Sequence, residues 1–456
     1  PFARVSTDSR TVGPGDLFVA LRGERFDAHA FLDAVAAQGV AAAVVSQDIA
    51  QNTLRSPSGL PLPHLRVPDT RLALGALARG WRRRFDLPVV AVTGSNGKTT
   101  VKEMIASIFA AAVGETARLA TRGNLNNDIG VPLTLLRLNP AHALAVIELG
   151  MNHPDETRYL AELTGPTIAL VNNAQREHQE FMRTVEAVAL EHASVIHALG
   201  ADGVAVYPAD DRYTPIWRVA AHRRRVLDFL LDEGRPASAS ASAPRAAVTG
   251  KPGPEDDGTL EIATPAGDFA VRLSTQGRHN LRNALAATAA ALAANVSIDA
   301  IRTGLEAFAP VKGRLQLKRA ALAPFAGARV IDDTYNANPD SMRAAIDVLA
   351  AAPSPRVLIV GDMGEVGDQE AAAHREIGAY AYASGIDGFY ALGDASRGAC
   401  QAFGTHARHF ADASELVDAL RTSGLGADAT LLVKGSRFMA MERVVDALLN
   451  VATTPH

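Results

Sequence analysis

A single cysteine, Cys400, stands among 456 residues. That excludes an internal disulfide framework and any cysteine-based zinc cluster, and it fits a reducing compartment. Long apolar runs are also missing. None reaches the roughly 18–20 residues of a membrane span, and the longest candidate, around Ala284–Val296, is mostly alanine and reads as a buried helix. The opening Pro1-Phe2-Ala3-Arg4 lacks the basic-then-apolar pattern of a secretory signal. Positive charge is not in excess: 45 Lys and Arg against 49 Asp and Glu leave a net charge of -4. A nucleic-acid coat or a basic membrane-surface protein would need the opposite balance to neutralise phosphates. What is present, 48% hydrophobic and 21% charged residues, is the composition of a globular chain. At roughly 150 residues per domain the length suggests about three domains. The expectation is a monomeric cytoplasmic protein with small-molecule partners, without nucleic acid or membrane.

Turn chemistry and apolar runs sketch an α/β chain throughout. Val12-Gly13-Pro14-Gly15-Asp16 is a turn before the strand Leu17–Leu21; Ala28–Gly39 has helical spacing, Ala41–Val45 reads as a strand and Thr70–Phe85 as a helix. From Leu87 onward, strands (87–92, 143–149, 167–172) alternate with helices (99–112, 155–163, 185–199). Such alternation predicts a parallel sheet covered on both faces. The Pro-, Ala-, Ser- and Gly-rich segment Asp232–Gly258 reads as a mobile surface insertion, and Asn280–Ala294 as a helix. Pro310-Val311-Lys312-Gly313-Arg314 looks like an inter-domain joint. Beyond it, strands at 328–332, 356–361, 388–392 and 430–433 alternate with helices at 341–351, 370–383, 413–420 and 439–451, the pattern of a doubly wound domain. The expected division is 1–86, 87–310 and 311–456.

The segment Val92-Thr93-Gly94-Ser95-Asn96-Gly97-Lys98-Thr99-Thr100 follows a buried strand and opens a helix. That is the context a phosphate loop needs. Gly94 and Gly97 let the backbone curl so that N–H groups, those of Asn96 and Thr100 among them, turn inward, and the helix N-terminus adds partial positive charge. Lys98 is expected on the β and γ phosphates and Thr99 on Mg²⁺. The spacing is shorter than the general motif, with two residues between the glycines instead of four before the Gly-Lys pair. No Asn-Lys-x-Asp guanine-reading string follows, so ATP is favoured over GTP.

The loop Thr-Gly-Ser-Asn-Gly-Lys-Thr resembles that of the Mur ligase family, whose members add amino acids to peptidoglycan precursors. Further segments resemble the family in order: Thr7-Asp8-Ser9-Arg10, Gly123-Asn124-Leu125-Asn126-Asn127-Asp128-Ile129-Gly130-Val131-Pro132, Ile147-Glu148-Leu149-Gly150, Asp333-Thr334-Tyr335-Asn336-Ala337-Asn338-Pro339 and Lys434-Gly435-Ser436-Arg437. The resemblance spans nearly the whole chain except 232–258. It implies a small N-terminal domain for a UDP-linked precursor, a central ATP-binding domain and a C-terminal Rossmann-like domain. It also implies an amide-forming reaction through an acyl phosphate with ATP and Mg²⁺. The versions here fit best the member that joins D-alanyl-D-alanine to a UDP-N-acetylmuramoyl-tripeptide. The Asp-Asn-Pro-Arg string typical of the ligase for the third amino acid is absent. Folylpolyglutamate synthetase should lack this N-terminal domain, and a nucleotide switch would not need the substrate loop and Glu148 together.

Site residues follow from the resemblance and their chemistry. Glu148, ending a buried strand, is expected to meet the ion held by Thr99, since ligands gather at strand C-termini in open α/β sheets. His178 matches the family's second-metal histidine, although histidine is a poor Mg²⁺ ligand in general and Gln175-Arg176-Glu177-His178-Gln179-Glu180 departs from the usual Gly-Pro-Ala-His-Leu-Glu. Ser9, Arg10, Asn126 and Asn127 suit the UDP-linked substrate. Asn280 and Asn283 either read adenine or cap their helix. Arg314, Asp333, Asn336 and Asn338 would close on the nucleotide. Lys434, Ser436 and Arg437 would meet the dipeptide carboxylate. Asp362-Met363-Gly364-Glu365 resembles the family without an assigned role.

One departure stands out. Most members carry a lysine on the following helix that takes up CO₂ to become a carbamate. No lysine occurs here between Lys102 and Lys251, so no carbamate forms. His192 falls at or beside the aligned position and Glu191 adjoins it; either a native side chain substitutes, with Glu191 slightly favoured because it keeps a carboxylate, or the site works without that ligand.

Overall fold

A computed structural model describes residues 2–24, 26–49, 54–233, 246–254 and 258–450. It holds four sheets. The first is parallel and places Val5–Ser6, Leu17–Val19, Ala42–Val45 and His64–Arg66 side by side in chain order. Helix Thr70–Arg82 leads out of it, capped by the Asp69 carboxylate, which accepts the N–H groups of Arg71 and Leu72. At its far end the buried Arg82 guanidinium donates to the carbonyls of Thr164, Phe85 and Gly165, fastening the helix to the next unit.

That unit is built on six parallel strands in the order Arg225–Val226, Val204–Val206, Ile168–Val171, Val89–Thr93, Leu144–Glu148, Arg118–Ala120. The phosphate-loop strand Val89–Thr93 lies in the middle, and all five of its residues are buried. Its chain leaves toward one side and returns on the other, which opens a crevice at the strand C-termini. Separate apolar cores cover the two faces, as expected of a buried parallel sheet. The elements agree with the sequence expectation to within two or three residues.

The segment 232–258 departs from expectation. Residues 234–245 and 255–257 lie outside the described residues, but Val248–Pro252 is a strand. With Phe229–Leu231, Thr259–Thr264 and Gly267–Arg272 it makes a four-stranded sheet. Its inward residues Val248, Leu260, Ile262 and Val271 join the core under the helix Arg278–Ala293. The polar composition masked a strand whose apolar positions alternate.

The last sheet, in the order Gln316–Arg319, Arg329–Asp333, Thr430–Lys434, Arg356–Gly361, Gly388–Leu392, Ala407–Phe410, is parallel apart from its first, antiparallel strand. This is the doubly wound pattern expected. The expected helix 439–451 is shorter, Glu442–Leu448, after a separate turn Arg437–Met439, because Ala440 adopts a left-handed backbone (φ +47°).

Helix Ile298–Ala307 packs on the phosphate-loop helix Lys98–Val113 through Gly304. A Cβ there would lie 2.3 Å from Ile108 Cα and 2.6 Å from its nitrogen, both backbone atoms that cannot turn aside. Gly304→Ala should therefore destabilise the protein by about 1–3 kcal/mol through overpacking, read as a lower midpoint in urea. An unchanged midpoint would contradict this close approach.

Candidate active site

The residues after Val89–Thr93 curl as the glycines require. Gly97 is left-handed (φ +80°), and a Cβ on it would meet Asn283 Oδ1 at 2.6 Å and Asn172 Nδ2 at 2.7 Å. The loop is braced from the neighbouring strand: Ser95 N–H donates to Asn173 O (3.1 Å) and Asn96 N–H to Asn173 Oδ1 (2.9 Å). Asn280 and Asn283 belong to this brace. Asn283 Oδ1 accepts from Asn172 (2.9 Å) and its amide donates to Asn280 Oδ1 (3.2 Å), while Asn280 donates to Gln276 O. Neither caps the helix, whose N-cap is Gly277.

Loop, neighbouring strand ends and C-terminal sheet enclose a cavity of about 630 Å³. Asn96, Lys98, Thr99, Thr100, Asn126, Asn127, Glu148, His178, Asn280, Asn283, Arg314, Asp333, Asn336, Asn338 and Lys434 all line it. Ser9, Arg10, Ser436 and Arg437 do not. Arg10 is exposed and pairs with Asp8, and the Ser9 carbonyl accepts from Gln38.

Glu148 is buried at its strand end. Oε1 accepts the Thr99 hydroxyl (3.0 Å) and the Asn126 amide (2.8 Å), while Oε2 is buried without a partner. A carboxylate oxygen left without a partner calls for a cation. Thr99 Oγ, which also accepts from Arg314 (2.9 Å), and that oxygen together fit Mg²⁺, which takes one or two carboxylates and completes its shell with water and phosphate. Asn126 thus orients the carboxylate, whereas Asn127 Oδ1 accepts the N–H of Gly130 and starts the helix Gly130–Leu135. His178 sits in a left-handed backbone (φ +46°), its Nδ1 2.7 Å from Glu365 Oε2 across the domain interface. That gives Glu365 a partner, and chiefly for this reason its carboxyl lies below the usual range. No cluster of three or more His, Cys, Asp or Glu poised for a metal exists among the described residues.

One expectation about the lysine-free helix, that Glu191 is the favoured substitute, is corrected. Glu191 does not face the site. Its carboxylate accepts the backbone N–H groups of Asp155, Thr157 and Arg158 at 3.0, 2.9 and 3.4 Å, because the start of helix Glu156–Thr164 leaves donors that need an acceptor. His192, about 100° around the helix, turns to the phosphate loop instead. Its partner there is Glu177, a residue the sequence reading passed over. Burial by itself would push this carboxyl up, but Lys98 and His192 beside it hold it down at about 2. No spacing signal pointed to Glu177, which only the fold brings under Lys98.

The C-terminal domain meets the loop through polar contacts. Asn338 donates to Asn96 Oδ1 (2.9 Å). The Arg314 guanidinium stacks 4.2 Å over the Tyr335 ring. Asn336 turns its own Oδ1 to the Ala337 N–H. Lys434 is buried and donates to Asp333 Oδ2 (2.7 Å) and Asn336 O, so the two residues assigned to different ligands form one pair. Ser436 Oγ accepts the Gly364 N–H and donates to Ala337 O, joining two loops. Arg437 points outward to Glu442. Arg176, also unforeseen, reaches from the central loop to Asp340 (2.7 Å) and Glu376 (2.7 Å), and Arg343 shares Glu376.

Three family models match in succession: residues 1–82 the Mur ligase family catalytic domain, 92–291 the Mur ligase middle domain, and 313–437 the Mur ligase glutamate ligase domain. The UDP-N-acetylmuramoyl-tripeptide–D-alanyl-D-alanine ligase of Escherichia coli K12 is 43% identical over 97% of this chain and 93% of its own. The enzyme of the same name from Haemophilus influenzae is 38% identical, covering 98% and 93%. The crystal structure of MurF from Acinetobacter baumannii superposes with a TM-score of 0.86 at 36% identity over 98% and 93% of the chains.

The Arg176 bridge gives a pH test. Arg176, hydrogen-bonded to Glu376, is the main reason that carboxyl lies below its usual range. Its contribution to closure is therefore complete above the ordinary glutamate pKa of roughly 4.3 and is lost as pH falls through the lowered value. Small-angle scattering should show the chain expanding on that acid limb, and Arg176→Gln should expand it already at neutral pH. Identical profiles for both proteins would exclude this bridge as a closing contact.

Proposed function

The chain belongs to the Mur ligase family, and from that premise we infer that it joins D-alanyl-D-alanine to UDP-N-acetylmuramoyl-tripeptide at the expense of ATP, as a UDP-N-acetylmuramoyl-tripeptide–D-alanyl-D-alanine ligase of peptidoglycan synthesis. The observation that carries the reading is the one cavity in which Lys98, the Thr99–Glu148 pair and the C-terminal Asp333–Lys434 pair converge. Residues 1–86 are assigned to the UDP precursor, 87–310 to ATP and 311–456 to ligation. The enzyme is taken as a cytoplasmic monomer; no helix among the described residues is long and apolar enough to cross a membrane.

An amide does not form from a carboxylate without a leaving group. The tripeptide carboxylate takes the γ-phosphoryl group, ADP departs, and the amine of the dipeptide attacks the acyl phosphate carbon. The tetrahedral intermediate collapses to amide and phosphate. Loop N–H groups and Lys98 hold the phosphates, with Lys98 turning from its present partners to the transferring group. Thr99 and Glu148 would hold Mg²⁺, which neutralises charge on the phosphates. Asn96–Asn338 and Arg314–Thr99 tie the C-terminal domain over the loop, where excluding water protects the acyl phosphate from hydrolysis. Lys434, steadied by Asp333, is the cation left for nucleotide or dipeptide oxygens.

Lys98→Ala should lower turnover by roughly 10²-fold or more, as loss of a strong electrostatic stabiliser does. The assay is ADP release with both substrates, each omitted in turn, and near-normal turnover would refute the phosphate-loop role. Glu148→Ala should do similar damage and raise the Mg²⁺ requirement. Lys434→Ala should raise the dipeptide KM by about ten- to a hundred-fold, whereas Arg437→Ala, outward and paired with Glu442, should stay near the parent. Equal loss in both, or a shift of the ATP KM alone, would reject this division.

A further inference from the structure

Glu177 has no part in the steps above, yet it is a buried charge held between two partners at the site. It is 6% exposed and its two oxygens face different partners. Oε2 lies 3.1 Å from Lys98 Nζ, and Oε1 lies 3.0 Å from Nε2 of the fully buried His192. A carboxylate only accepts, so the imidazole proton sits on Nε2. The other ring nitrogen is 3.0 Å from Thr93 Oγ1, at the end of the phosphate-loop strand. Loop, helix and strand together aim one negative charge at the phosphate-binding lysine.

The two positions depart from the family pattern together. Against the usual Gly-Pro-Ala-His-Leu-Glu, Glu177 replaces the alanine. Against the lysine that takes up CO₂, His192 stands at or beside the aligned position. Glu177, braced by His192, puts a carboxylate into this pocket from the loop side; the carbamate that the resemblance implies for other members would supply one from the helix. In the described state Lys98 also donates to the carbonyls of Gly94 and Ser95, so it lies back on its own loop. Once a triphosphate draws Lys98 away, Glu177 Oε2 faces the cavity it already lines and lacks a cation.

We propose that Glu177, oriented by His192, is the built-in carboxylate of the phosphoryl-transfer site and replaces a lysine carbamate, so that ligation in this chain is independent of CO₂. The proposal rests on the ligase reading and adds a positioning pair to it.

The test compares the full-length parent with Glu177→Gln and with Glu177→Ala/His192→Lys. Turnover is measured at fixed pH in CO₂-depleted and in bicarbonate buffer. Mn²⁺ affinity is measured by electron paramagnetic resonance with a non-hydrolysable ATP analogue, and folding by circular dichroism. The parent should turn over equally in both buffers. Glu177→Gln keeps the shape and the histidine contact but not the charge. It should lose roughly 10²-fold in turnover and about ten- to a hundred-fold in Mn²⁺ affinity. In the double variant the neutral amine of the introduced lysine adds to CO₂, forming an N–C bond and releasing one proton to buffer. Its turnover should rise with bicarbonate, together with a ¹³C carbamate resonance. The proposal fails if Glu177→Gln keeps parental Mn²⁺ affinity and turnover, if the parent slows without CO₂, or if the folded double variant gains nothing from bicarbonate. A parent that ligates nothing in either buffer defeats the ligase reading instead, and the Mn²⁺ affinities still judge Glu177.

Discussion

A charge removed from water must find its opposite, and around this phosphate loop that rule arranges almost everything else. Lys98, Glu177 and Glu148 line one cavity, both glutamates are buried, and each holds a neighbour in place. Glu177 is bracketed by Lys98 and His192. Glu148 is bracketed on one oxygen by Thr99 and Asn126 and left bare on the other. The contrast between the two glutamates is informative. A carboxylate with partners on both oxygens steadies the loop around it, whereas a buried oxygen with none calls for a cation.

The same rule links the domains. The contacts across the interface are polar and ionic: Asn96 with Asn338, Arg314 with Thr99, Arg176 with Asp340 and Glu376. An apolar interface would hold the domains shut. A hydrated, partly exposed set of charges makes closure inexpensive to reverse, since each such pair is worth little in water. An enzyme that must admit two substrates and a nucleotide, then seal an acyl phosphate from water, needs closure that is specific but weak.

Buried side chains explain why some residues serve structure rather than ligand. Glu191 is spent on the N–H groups at the start of helix Glu156–Thr164, Asn127 on the start of the next helix along the substrate loop, and Asn283 on the underside of Gly97. Each is polar, and each meets a backbone or loop demand that arises only once the chain has folded. Lys434 and Asp333 look like separate ligand groups along the chain, about a hundred residues apart, but adjacent parallel strands end side by side and pair them.

The alternation of strands and helices, the glycine-rich loop, Glu148 at the end of a buried strand and the lack of any lysine between Lys102 and Lys251 were all legible along the chain. These rest on local periodicity, on glycine's backbone freedom and on plain residue identity, all of which are written along the chain. Tertiary structure alone decided that Glu177 faces Lys98, that His192 and not Glu191 turns inward, that Arg437 turns outward, and that 248–252 is a strand. Those outcomes depend on which groups burial leaves without water, and a buried donor or acceptor takes whatever partner the packing brings within 3 Å or so. Distance along the chain carries no record of that choice.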